Sequence, residues 1–200
     1  MSRHSQRLHV PRADREERLR ALLLADAEVR SVVQAAVDLD VPSWAVGGGV
    51  VRNVVWDFIF ESRGRTAHND IDLVYFDIDL TESKELQIEK SIHERCGNAS
   101  AEVRNQARVH LWYERRFGHR IDPVTDIEDA VARFPETCTS VAITGTSIDA
   151  LDLLAPCGLD DLFEGVLRRN PQQVTAEYFE ERLTAKRIDE RWPGVTVVRE

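Results

Sequence analysis

The stretch WAVGGGVVRNVVWD (residues 44–57) opens with β-forming apolar residues, breaks at three glycines and continues at helical spacing through Val50, Val51, Val54, Val55 and Phe58. It reads as a strand from Ser43 to Val46, a glycine turn at Gly47, Gly48 and Gly49, and a helix. A second stretch, DIDLVYF (residues 70–76), is dense in β-formers with apolar residues on both alternations, as a central strand requires. Ile71, Leu73 and Tyr75 fall on one side, Val74 and Phe76 on the other. Asp70 and Asp72 therefore share a face, roughly 7 Å apart along the strand.

Each segment has a chemical consequence. Two carboxylates that close raise each other's pKa unless a positive charge sits between them, and a hard divalent cation bound by oxygen, Mg²⁺ or Mn²⁺, answers that need. Glycines at the start of a helix let backbone N–H groups approach an anion such as a phosphate. Arg52, one turn into the helix, is expected at the same phosphates. A phosphate cradle about 20 residues upstream of a metal-binding carboxylate pair is the equipment of nucleotidyl transfer, in which metal ions bridge phosphate oxygens and activate an attacking hydroxyl.

Outward from this centre, residues 1–11 carry no periodicity and are expected to form a flexible arm, with residues 12–200 as one domain and its catalytic core at about 43–155. Leu19, Leu22 and Leu23, then Val29, Val32, Val33, Ala36 and Val37, predict two helices or one broken helix before Pro42. Thr81 to Arg95 reads as a helix stopped by Gly97. Val103, Ala107, Val109 and Leu111 alternate with Glu102, Arg104, Gln106, Arg108 and His110, which predicts one strand with a polar face. Further helices are expected over 127–134, 159–167 and 175–190, and strands over 139–143 and 148–154 around Gly145. Strands and helices without strict alternation argue for α+β with a mixed sheet flanked by helices, and additional N- and C-terminal helices.

Composition limits the function classes. The chain has 200 residues, 42% hydrophobic and 30% charged, which describes a globular protein rather than a disordered one. Its uncharged runs are too short to span a membrane, and its basic N-terminus lacks the apolar core of a secretory signal, so a cytoplasmic location is expected. A net charge of -9 argues against extended nucleic-acid binding. Cys96, Cys138 and Cys157 are odd in number and widely spaced, so they are read as buried small hydrophobes. Trp44, Trp56, Trp112 and Trp192 read as core or core-edge aromatics.

WAVGGGVVRNVVWD, TAHNDIDLVYFD, NQARVHLWY, FPETCTSVAI and APCGLDDLF, in that order, resemble a family of bacterial nucleotidyltransferase-fold proteins of largely unassigned substrate. The resemblance runs from Trp44 to about Trp192. The wider superfamily it is similar to includes DNA polymerase beta and the aminoglycoside nucleotidyltransferases, and it uses a glycine turn, a D-x-D pair and a third carboxylate on a neighbouring strand. The resemblance matches Gly47 and Gly48 to the turn and Asp70 and Asp72 to the metal pair. It implies transfer of an NMP group from an NTP, ATP among them, to a hydroxyl of an unidentified acceptor, with release of pyrophosphate. The superfamily's glycine-serine pair is here all glycine.

Glu102 is chosen as the third acid because it begins the next strand, with Asp77, Asp122 and Glu136 as the other candidates. A catalytically silent nucleotide-binding or regulatory module of the same fold, as in toxin and antitoxin pairs, is the alternative. A dinucleotide-binding oxidoreductase fails on spacing, since Val50, Val51 and Arg52 stand where a third glycine or alanine is expected. No P-loop motif is present.

Overall fold

The computed structural model describes residues 7–62, 64, 66–68, 70–97, 100–172 and 174–199. Helices α1 (Arg15–Ala25) and α2 (Ala27–Asp38) are separated at Asp26, whose carboxylate accepts the Glu28 and Val29 N–H groups and caps α2. Then come β1 (Trp44–Gly47), α3 (Gly49–Ile59), β2 (Ile71–Tyr75), α4 (Glu82–Cys96), β3 (Ala101–Asn105), α5 (Val109–Phe117) and α6 (Ile127–Ala132). The hairpin β4 (Ala142–Ser147) and β5 (Ala150–Leu154) follows, then α7 (Asp160–Phe163), β6 (Val166–Arg168), α8 (Ala176–Lys186), α9 (Ile188–Arg191) and β7 (Thr196–Val198).

The main sheet runs β3-β2-β1-β4-β5, with β2 and β3 parallel and the other neighbours antiparallel. This is the mixed α+β sheet expected. One face sends Val46, Ile71, Leu73, Tyr75, Val103 and Ile143 into the main core with residues of α1 to α4. The other face holds a smaller cluster of Ala45, Val74 and Ala142 against Val131 of α6, with Phe134 at its margin. Asp72 shares the alternation of Val74, so β2 delivers its carboxylates to this thinly covered side. Strands β6 and β7 pair in parallel apart from the main sheet.

Several elements depart from the sequence reading. The alternation expected to carry one strand from Val103 to Leu111 is cut at Asn105. The Asn105 Oδ1 accepts the Ala107 N–H at 3.1 Å and the Asp77 N–H at 3.2 Å, while Nδ2 donates to the Asp77 and Asp79 carbonyls. The chain turns there into a short 3₁₀ turn and α5, so His110 lies on a helix and the polar strand face shrinks to Glu102 and Arg104. The helix expected over 159–167 stops at Phe163, Gly165 follows at φ +59°, and Val166 pairs with Thr196. The helix over 175–190 breaks at Arg187, φ +46°. Gly145 lies inside β4, and the hairpin turns after Ser147.

The expected N-terminal arm is tied down from Arg7 onward: the Leu8 N–H donates to the Ile59 carbonyl at 2.8 Å, and Val10 is buried. Residues 1–6 lie outside the described residues. Trp44, Trp56 and Trp192 are buried in the core as expected. Of the cysteines, Cys138 is buried, Cys96 is half-buried and Cys157 is exposed, which corrects the expectation for Cys157. No helix among the described residues is long and apolar enough to cross a membrane.

Candidate active site

β1 and β2 set the site by their register. Gly47 stands opposite Asp72, and Asp72 stands opposite Glu102 on the parallel neighbour β3. Oxygens from Asp70, Asp72 and Glu102 lie within 4.8 Å of one another. Glu102 is thus brought to the pair as expected, and it also accepts from Arg104 at 2.7 Å. The other third-acid candidates are elsewhere. Asp77 accepts from Lys84 Nζ at 2.5 Å, Asp122 lines a separate cleft of about 680 Å³, and Glu136 is buried in an ion pair.

The approach to Asp70 is pinned from two sides. The Thr66 N–H donates to Asp57 at 2.5 Å, and His68 Nε2 lies 2.8 Å from the Asp26 carboxylate. Asp57 is itself held by the indole N–H of Trp192. Burial first, then the charges of Asp70 and Glu102, push the Asp72 carboxyl up to about 7. Three oxygen donors under mutual repulsion fit a hard divalent cation, which would neutralise them.

The glycine turn lies against this acid cluster. A Cβ on Gly47 would meet the Ala142 Cβ at 2.5 Å and the Val141 carbonyl oxygen at 2.6 Å, so β4 crosses the turn at a distance only glycine permits. Gly48 adopts φ +73° and ψ -131° as it starts α3, and its N–H donates to the Val141 carbonyl. Arg52 is not open at the turn. It is 3% exposed, lies 5.6 Å from both the Trp56 and Trp192 rings, and donates to Asn53 Oδ1. Its guanidinium is close beneath the turn, 3.9 Å from the Cβ position of Gly49.

The sequence reading assigned no role to Arg182 or Lys186 of α8, and it weighed Glu136 only as a third acid. Glu136 is 1% exposed and accepts from Arg182 Nε at 2.7 Å and Nη2 at 3.3 Å, with a further hydrogen bond from Thr139. Burial works to raise the Glu136 pKa, but Arg182 and then Arg52 outweigh it and hold the carboxyl below its ordinary range. Tyr178, Arg182 and Lys186 recur at i, i+4 spacing along α8, a helical stripe visible in the sequence, although spacing alone does not say what the stripe faces. Beside it, Tyr113, Phe117, Phe134 and Tyr178 line a cavity of about 120 Å³.

A mixed sheet that sets a glycine turn against three convergent carboxylates is what the resemblance to nucleotidyltransferases implies. The chain belongs to the nucleotidyltransferase family, whose model matches residues 34–197. Among solved structures it is similar to a CCA-adding enzyme head domain, with a TM-score of 0.74 and 22% identity over 92% of this chain and 96% of that one. It is also similar to a CCA-adding enzyme in complex with CTP, with a TM-score of 0.53 and 17% identity over 91% of this chain and 43% of that one. At these identities the structural likeness speaks for the fold. No curated protein sequence matches the chain.

Proposed function

We propose that the chain transfers an NMP group from an NTP to a hydroxyl of an acceptor, with Asp70, Asp72 and Glu102 holding Mg²⁺ or Mn²⁺. The observation that carries this reading is the register Gly47–Asp72–Glu102, which sets the glycine turn beside three converging carboxylates. When bound, the metal would neutralise charge on the phosphates and lower the pKa of the attacking hydroxyl. The chain's own contribution is position and charge. The Gly49 N–H at the start of α3 receives a phosphate oxygen, while the Gly48 N–H is held by the Val141 carbonyl, and Arg52 adds positive potential from beneath. The acceptor oxygen forms a bond to the α-phosphorus, the bond to the β-bridging oxygen breaks with its electron pair leaving on pyrophosphate, and the acceptor proton passes to solvent. The working core is residues 43–155, extended by α8.

The test is incubation with each NTP labelled at the α-phosphate, with Mg²⁺ or Mn²⁺, in cell lysate. Labelled products that vanish with Asp70→Ala support the reading and hand over the acceptor. Absence of label with every NTP, despite metal-dependent NTP binding, turns the assignment to a nucleotide-sensing module.

A further inference from the structure

Beside the carboxylates, three cations meet one anion without being cancelled. Glu136 is paired to Arg182, and the charge of Arg52 is felt by both Glu136 and Lys186. One carboxylate against Arg52, Arg182 and Lys186 leaves an excess of positive charge. Asp70, Asp72 and Glu102 leave an excess of negative charge, with Arg104 paired to Glu102.

The two groups act on each other. Lys186 and Arg182 pull against the rise of the Asp72 pKa, and Asp70 acts on Lys186. Yet among the described residues no ion pair joins Arg182 or Lys186 to Asp70 or Asp72, and Lys186 makes no ion pair at all. Partial burial, then Arg182 and Arg52, hold the Lys186 ammonium below its ordinary range. Arg182 spends Nε and Nη2 on Glu136, which leaves its Nη1 uncommitted to that pair. Arg52 Nη1 is buried without a hydrogen-bond partner. A group of net positive charge close enough to act on a group of net negative charge suits a ligand that is an anion carrying a cation. A metal–polyphosphate chelate has that chemistry.

We propose that Arg182 and Lys186 of α8 form a polyphosphate site that grips the β- and γ-phosphates of the nucleotide and then the departing pyrophosphate. The proposal rests on the reading of the chain as an NTP-using transferase and assigns that reaction's leaving group to a helix outside the sheet. Glu136 is a positioning residue here, since it fixes the guanidinium of Arg182. Lys186 brings three rotatable donors at the exposed rim.

Isothermal titration of inorganic tripolyphosphate, at fixed Mg²⁺, into the wild-type chain, Lys186→Met and Arg187→Met tests it. Arg187 pairs with Glu190 at the exposed end of α8, so its loss removes the same charge without touching the stripe. Binding weakened about tenfold in Lys186→Met and less than about twofold in Arg187→Met supports the site. Absence of binding to wild type, undiminished binding to Lys186→Met, or equal losses in both variants overturns it. Labelled-nucleotide transfer reads the broader assignment separately. Transfer without tripolyphosphate binding refutes the site alone, whereas Lys186-dependent binding without transfer to any acceptor keeps the site and refutes the transferase reading.

Discussion

A methyl group at residue 48 would lie 3.1 Å from Oδ2 of Asp72, so the carboxylate on β2 fills the space a side chain at the start of α3 would need. Gly48→Ala would meet both that crowding and a positive φ, the latter costing about 1–3 kcal/mol. The expected outcome is a folded variant by circular dichroism whose transfer rate falls at least about tenfold, because the displaced carboxylate belongs to the proposed metal site. An unchanged rate in labelled-NTP assays would refute it.

Asp72 also carries a stability prediction. Its folded pKa of about 7 lies above the unfolded value of 3.8, so the folded state binds the extra proton, and stability is lost as pH rises between those values. The neutral Asp72→Asn should therefore raise the melting temperature of the metal-free protein at pH 8 by roughly 3–6 °C. The gain should shrink towards pH 5, where wild-type Asp72 is protonated. Added Mg²⁺ should reverse the order, since only the wild type keeps the full carboxylate set. Melts at the two pH values, with and without Mg²⁺, check all three statements.

The same proton competes with metal. Mg²⁺ affinity should be flat above about 7 and fall about tenfold per pH unit below it, as Asp72 must deprotonate to bind. Calorimetric titration of Mg²⁺ across pH 5.5 to 8.5, values chosen to bracket that pKa at roughly 1.5 units either side, would show the break. A pH-independent affinity would exclude Asp72 as a ligand.

Glu136→Gln removes the charge that balances Arg182 while keeping shape. Breaking a buried ion pair from one side costs about 3 kcal/mol, so urea unfolding should shift by that amount. A shift under about 1 kcal/mol would mean that solvent, rather than Glu136, stabilises the Arg182 charge.

The centre of this molecule was legible because it is local. The strand, turn and helix at residues 44–59 and the shared face of Asp70 and Asp72 follow from periodicity within a few residues, and Glu102 from the start of the next strand. The errors arose where a distant partner decides. The alternation from Val103 to Leu111 continues as a β-pattern, but Asn105 spends its amide on Asp77, Asp79 and Ala107 and ends the strand. Val166 looks helical until Thr196 arrives beside it. Arg52 reads as a cation open to the phosphates at the turn, and Trp192, far along the chain, encloses it together with Trp56 of its own helix. The role of the α8 cations was invisible for the same reason: the spacing of Tyr178, Arg182 and Lys186 defines a face, and tertiary packing decides what that face meets.

The close crossing of β4 over residue 47 has an evolutionary reading. Ala142→Gly would remove one obstacle to a side chain there, but the other is the carbonyl of Val141, which every amino acid at 141 carries. A second-site side-chain substitution alone does not clear the position, since the backbone of β4 must shift as well. Gly49 differs, since an added Cβ would meet nothing nearer than Arg52 Nη2 at 3.9 Å. On steric grounds lineages that keep this fold can drift at 49, whereas a side chain at 47 requires the backbone of β4 to move away from β1.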